Sequence, residues 1–333
     1  MLRSLYSGIS GMKNFQTKLD VIGNNISNVN TYGFKKSRTI FQDLYSQSIS
    51  GASAPSGGLG GTNPKQVGLG SQLASVDIIH TGGSMQTTGR NLDLAIAGDG
   101  FFQVADSQSN KFSNIGYTRA GNFYLDKDGK MVNSQGQYLV GFSAIATGNY
   151  DPDGAGSAPT VNNIELGPLP KDVDMTKFNF ASQTYTGGPA PVNNPTGATF
   201  STATVPVNYA PIKIPTDAQS MSIGQDGSVT YVDQFGTLRW AGQIAVAKFA
   251  NSGGLEKSGS NIYTSTSNSG TPKIDFPGMS GNGLIQSGSL EMSNVDLSEE
   301  FTEMIVAQRG FQSNTKIITT SDEILQELMN LKR

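Results

Sequence analysis

At 333 residues the chain is long enough for two or three globular pieces of roughly 150 residues each. Its 23 basic and 26 acidic residues leave a net charge of −3, which excludes the strongly basic footprint of a nucleic-acid binder. It has no cysteine, so disulfides, thiolate metal sites and cysteine nucleophiles are excluded as well. No apolar run approaches the roughly 18 residues of a membrane-spanning helix, and the start, MLRSLYSGISGMKNF, lacks the continuous apolar stretch of a cleaved signal peptide.

The 14 prolines all fall between Pro55 and Pro277. Proline costs about 3 kcal/mol inside a helix, so two helical ends are expected around a non-helical middle. At the N-terminus Leu5, Met12, Leu19 and Ile26 recur every seven residues, with Phe15, Ile22 and Val29 as a second row and Leu2 and Ile9 as a third. That alternation suits a seam against another helix. Gly33, after Asn30-Thr31-Tyr32, is the expected stop.

Residues 51–70, GASAPSGGLGGTNPKQVGLG, read as a glycine-rich flexible connector. Alternating apolar and polar residues then mark strands at 92–104, 117–142, 221–232 and 240–250, punctuated by turns at Asp128-Gly129, Gln135-Gly136 and Asp226-Gly227. Residues 143–215 are richer in Pro, Gly, Asn and Thr and read as an inserted β domain with long loops.

At the C-terminus Leu297, Met304, Phe311, Ile318 and Leu325 form a longer heptad, broadened by Phe301, Ile305, Ile324, Leu328 and Met329. Asp296 with Glu299 resembles a capping box, Asp standing in the Ser/Thr place. A helix over 297–331 would run roughly 50 Å at 1.5 Å per residue.

The expected fold is therefore mainly β with α-helical termini. The N- and C-terminal helices pair as a coiled coil, with β domains inserted between them. In chain order this gives a terminal coiled-coil domain (1–32 and 290–333), a connector (33–70), a first β domain (71–142 and 216–289) and an outer β domain (143–215).

Little in the chain suggests catalysis. His80 is the sole histidine and no G-x-S-x-G elbow is present, so neither a histidine-rich metal site nor a serine hydrolase is indicated. Asp93 and Asp99 flank an apolar strand, and Asp126 and Asp128 sit at a hairpin, where Asp-Gly is ordinary turn chemistry. Asp126–Lys130 lacks the twelve-residue pattern of a calcium loop, and Gly98-Asp99-Gly100 is too short to cradle a phosphate. No cofactor or metal is expected.

The segment 24–35, NNISNVNTYGFK, with Asn24, Asn25, Asn28, Thr31 and Gly33, resembles the N-terminal signature of bacterial flagellar rod and hook axial proteins. Residues 67–102 resemble the family's entry into its first β domain, and 288–314, GSLEMSNVDLSEEFTEMIVAQRGFQSN, its closing helix. Within the family, SNVDL followed by MIVAQRGFQSN looks more like the hook branch than the distal rod branch, and 143–215 resembles a reduced hook outer domain.

The resemblance implies a structural subunit of the flagellar hook, polymerising through its terminal helices into a flexible hollow tube that joins rod to filament and transmits torque. The implied partners are further copies of the chain, distal rod subunits, hook-cap and hook–filament junction proteins, and the type III export apparatus. Export would proceed without a cleaved signal, to the extracellular hook and basal body. Phe41-Gln42-Asp43-Leu44-Tyr45 resembles the Phe-x-x-x-apolar export element of such subunits, with Phe41 and Tyr45 as its ends. The alternatives are a distal rod protein and, from other classes, a secreted β-rich adhesin or a glycan-active enzyme. No nucleic acid and no membrane insertion are expected.

Overall fold

The computed structural model describes residues 2–55, 60–108, 111–143, 178–179, 184–185, 208–236 and 238–331. Helix α1 spans Leu2–Ser27 and helix α2 spans Leu297–Leu331; the described residues between them are mainly strands and turns. Helix α1 stops six residues before Gly33. Asn28 N–H is shared between the carbonyls of Asn24 and Asn25, each at 3.2 Å, and Thr31 N–H reaches Asn28 O at 3.1 Å. Gly33 then turns the chain with φ +70°, where a side chain would be strained.

At the start of α2, Asp296 Oδ1 accepts from Ser298 N–H at 2.8 Å, an ordinary N-cap. The second half of the expected capping box is replaced, because Glu299 pairs with Lys36 at 2.7 Å instead.

The chain forms two compact units. The first takes in Met1–Thr31, Lys35–Thr81 and Ser293–Arg333; the second takes in Tyr32–Phe34 and Gly82–Met292.

In the first unit, the segment expected as a flexible connector over 33–70 carries strands. Strand β1 (Ser37–Asp43) pairs antiparallel with β4 (Ser71–Ile78), from Ser37 opposite Ile78 to Asp43 opposite Ser71, with a bulge at Ile40/Phe41. Strand β2 (Ser46–Ser50) pairs with β3 (Lys65–Gly68), and Ser53 bridges Thr62 beyond them. The ribbon is tied at its base by buried polar groups. Lys35, fully buried, donates from Nζ to Thr81 O at 2.7 Å. Asn294 accepts from Lys36 N–H at 2.7 Å and donates to Ile79 O at 2.9 Å.

The second unit is built on an antiparallel sheet. Its main path runs through Ser220–Ile223, Ser228–Val232, Leu238–Ile244, Tyr138–Ser143, Phe101–Gln108, Lys111–Thr118, Ile262–Thr264 and Glu256–Gly259. Phe102, Val104, Phe123, Leu139, Ile212 and Ile244 are fully buried, and the Phe102 and Phe123 rings meet edge-on at 5.4 Å. Each such side chain contributes about 1.5–3 kcal/mol by leaving water.

Most of the expected outer β domain lies outside the described residues. Its last part does not belong to an insert: Asn208–Pro211 pairs with Tyr138–Ser143, and Ile212 and Ile214 enter the main core.

Candidate assembly interface

Helices α1 and α2 touch along much of their length and run antiparallel. Gly8 faces Ile318, Gly11 faces Asn314 and Phe15 faces Gly310. Thr315 Oγ1 lies 3.8 Å from Met12 Sδ, and Lys18 Nζ lies 3.0 Å from Glu303 Oε2. Asn25 Nδ2 reaches Glu300 Oε2 at 3.2 Å. Glycine inside a helix costs about 1 kcal/mol relative to alanine, so three facing glycines need a reason. Here the reason is close approach: a Cβ at Gly11 would sit 2.9 Å from Asn314 Nδ2, and one at Gly310 2.5 Å from Phe15 Cζ.

The sequence-derived rows fall at this contact unevenly. Leu5, Met12, Leu19 and Ile26 are half-buried, while Ile22 of the second row is 3% exposed. On α2, Met304, Phe311, Ile318 and Leu325 are half-buried, but Leu297 is exposed. The most buried positions of α2 are Glu300, Ala307 and Ser321, a seven-spaced row completed by Asn314. Sequence reasoning missed this row because its members are polar or small; the spacing itself was the available signal.

Four of the residues expected to broaden the seam are open to solvent. Phe301, Ile305, Ile324 and Met329 are exposed, as are Val306, Ile317 and Leu331; the Leu328 side chain lies outside the described residues. The chain therefore presents an apolar helix surface beyond the α1 contact.

The signature asparagines act locally. Asn25 is buried, donates to Ser37 O at 2.8 Å and accepts from Ser37 N–H at 3.0 Å, so its amide stands in for a strand partner at the start of β1. Asn28 donates to the Asn24 carbonyl at 2.9 Å and to its side chain at 2.7 Å, and receives Thr31 Oγ1 at 3.1 Å.

In the second unit, Gly33 N–H donates to Glu291 O at 2.8 Å, and a Cβ at Gly33 would lie 2.5 Å from Ala120 N. Glu291 also receives Gly83 N–H at 3.0 Å and Arg119 Nη1 at 3.3 Å, both acid and guanidinium being buried. Burial pulls the Arg119 guanidinium down from its ordinary value, against the pull of Glu291.

The remaining candidates are dispersed. Phe41 is half-buried in β1 and Tyr45 is 83% exposed after it, so the two do not form one exposed surface. Asp93 is held by Thr88 and Arg90. Asp126 accepts from Lys127 N–H in its turn, and Asp99 lies at the surface near Lys248. His80 follows β4, half-buried. Among the described residues no group of three or more His, Asp or Glu side chains is placed to hold a metal, and no helix is long and apolar enough to cross a membrane.

Three family models match in chain order. Residues 5–35 match the flagella basal body rod protein model, 95–231 the flagellar hook protein FlgE/F/G D1 domain, and 286–331 the C-terminal model of the flagellar basal body rod FlgEFG proteins. The flagellar basal-body rod protein FlgG of Bacillus subtilis is 50% identical over 334 aligned residues, covering all of both chains. The flagellar hook protein FlgE of Borreliella burgdorferi is 36% identical over 446, again covering all of both. The FlgG of Buchnera aphidicola from Acyrthosiphon pisum is 31% identical over 334, covering 99% of this chain and all of the other. These relatives are structural proteins of the flagellum rather than enzymes, and this chain belongs to the flagellar rod and hook axial protein family.

Proposed function

We propose that the chain is a structural subunit of the flagellar rod, of the distal FlgG type, and not of the hook as its C-terminal run suggested. The observation that carries this is length. The chain aligns with the Bacillus subtilis rod protein end to end over 334 positions, at 50% identity, whereas the Borreliella hook protein needs 446. The motif that favoured the hook does not discriminate, since one C-terminal model covers FlgE, FlgF and FlgG together.

In this reading the antiparallel α1–α2 pair is the terminal coiled coil. The exposed apolar side chains of α2 contribute the surface on which neighbouring copies polymerise, because they are otherwise left in water. The subunit leaves the cell unfolded through the flagellar type III apparatus, with Phe41–Tyr45 as its export element. It meets hook subunits at the distal end of its polymer, and hook-cap and junction proteins act beyond them. The β-rich part of the chain forms the outer wall.

Immunogold labelling of isolated hook–basal bodies tests the assignment. Label on the rod, and basal bodies that stop short of a complete rod when the gene is deleted, are the expected outcomes. Label along the hook, with complete rods in the deletion, would return the chain to the hook.

A further inference from the structure

The antiparallel sheet of the second unit has a face that the described residues cover only in part. In its outer strands Val232 lies opposite Leu238 and Thr230 opposite Trp240. Directly paired residues point to the same side of a sheet, and the next pair points to the other. Tyr231, between Thr230 and Val232, packs with Met221 against the main core. Thr230, Val232, Leu238 and Trp240 therefore lie on the reverse face. Nearer the centre that face is covered. Leu139 enters the main core, whereas Val140 and Phe142 point the other way, and Phe142 meets the Phe276 ring at 5.0 Å in a second, smaller core. Toward the tip it is open, with Leu238 69% and Phe235 77% exposed.

Asp233 fixes the turn that carries Phe235. Its carbonyl accepts from Gly236 N–H at 2.9 Å, and its carboxylate accepts from Gln234 N–H at 2.8 Å and Arg239 Nε at 3.1 Å. Gln219 Nε2 donates to Gln234 O at 3.2 Å. A turn already fixed in place loses little freedom when its phenylalanine makes a contact. Trp240 gives an independent sign. Its indole N–H is buried, yet it has no hydrogen-bond partner among the described residues. A buried donor of that kind is normally paired.

The chain's own path supplies the occupant. Ser143 lies between Gly242 on one side and Asn208 on the other, so residues 144–207 leave and re-enter the sheet beside the strand that carries Trp240. That strand continues outward past Gly242 to Leu238, about 13 Å at the usual rise per residue. Residues 144–207 include Tyr150, Phe178, Phe180, Tyr185 and Phe200, and their backbone carbonyls are acceptors. A segment tethered at both ends beside a surface meets it at a higher effective concentration than a second copy in dilute solution does.

We propose that the outer end of this reverse face is the docking surface for residues 144–207, which cover Trp240, Leu238 and Phe235 and supply an acceptor to the indole N–H. Ordering that segment offsets most of what its burial contributes. Docking therefore changes the exposure of Trp240 far more than the stability of the unit.

The test uses the full chain at low concentration and Trp240, its sole tryptophan. Replacing 144–207 by Asn-Gly should shift the Trp240 emission to the red and raise its quenching by acrylamide several-fold. In the full-length chain, Phe235→Ser with Leu238→Ser should release the segment. Trypsin should then cut after Lys171 and Lys177 several-fold faster, as read by mass, while the Trp240 unfolding midpoint stays close to wild type. Equal quenching with and without 144–207, or unchanged cutting at Lys171 and Lys177 in the double variant, would overturn the proposal. So would shielding of Trp240 that appears only as concentration rises, which would assign the face to a second copy. If the Asn-Gly replacement fails to fold, the trypsin comparison decides alone.

Discussion

The Phe15 ring of α1 lies across Gly310 of α2 so closely that a Cβ at 310 would meet three ring carbons between 2.5 and 2.9 Å. Alanine there forces the ring out of the seam. Overpacking of this kind costs about 1–3 kcal/mol, which outweighs the gain of about 1 kcal/mol in helix propensity. Gly310→Ala should therefore lower the helix melting midpoint, and Phe15→Leu in the same chain should restore part of the loss. Gly23 gives the opposite sign, since nothing lies within 4 Å of its Cβ position. Gly23→Ala should stabilise α1 by about 0.5–1 kcal/mol. Melting the three variants side by side checks both signs.

The inner and outer apolar faces of the helices should respond differently to charge. Ile22 is 3% exposed against its own chain, whereas Ile324 is 44% exposed. Ile22→Asp buries an unpaired ion and should unfold the helix pair in the monomer. Ile324→Asp should leave the monomer's melting curve within about 0.5 kcal/mol of wild type, as for an ordinary surface change, yet prevent sedimentable polymer. Polymer of normal yield from Ile324→Asp would remove this face from the assembly surface.

These pairs also show what the sequence could reveal. The helices were legible because proline exclusion and the Leu, Met and Ile heptads are properties of single residues and their spacing. The register was not. It is set by Gly8 against Ile318, Gly11 against Asn314 and Phe15 against Gly310, where the decisive residue lacks a side chain. The β1–β4 ribbon was hidden by the polar, glycine-rich texture of the segment around it. Its anchors, Asn25, Lys35 and Asn294, bond to backbone groups 12, 46 and 215 residues away, and no periodicity marks such contacts. Asn25 was recognised by resemblance, without a reason for its identity. The reason is the double bond to Ser37 and the contact with Glu300.

The buried pair Arg119–Glu291 should behave as a joint rather than as a source of net stability. Glu291 binds Gly33, Gly83 and Arg119 in the second unit, and the Arg119 guanidinium also lies 5.3 Å from the Phe101 ring centre. Glu291→Ala leaves a buried guanidinium without its anion and should cost about 3–5 kcal/mol. Arg119→Met with Glu291→Leu removes both charges and should recover much of that loss. Urea unfolding followed at Trp240 measures the difference.

Alkaline unfolding should begin in the same unit. Burial pushes Tyr117 and Tyr263 up to about 12. Each phenol holds its proton longer in the folded state than in the unfolded chain. Stability is thus full below about 10 and falls as pH rises toward 12. Absorbance at phenolate wavelengths should show these two groups titrating late, together with loss of the Trp240 signal. Tyr117→Phe should make the fall shallower; an unchanged slope would place the alkaline sensitivity elsewhere.

Residues 144–207 should be separable from the core strand that follows them. Ser143 pairs with Asn208 across two antiparallel strands, so the chain leaves the sheet and returns to it at neighbouring positions. A short Asn-Gly turn in place of 144–207 is the kind of connection that closes such a pair. That replacement should keep the Trp240 unfolding transition close to wild type and still give polymer. Extending it to 143–215 removes Asn208–Pro211 from the sheet and takes Ile212 and Ile214 from the core. Losing one such isoleucine costs about 2–5 kcal/mol by truncation alone, so losing both with their strand should abolish the cooperative transition. Equal unfolding curves for the two replacements would mean that 208–215 belongs with the insert after all. Loss of polymer from the shorter replacement, with its Trp240 transition intact, would instead bring 144–207 into the contacts between subunits.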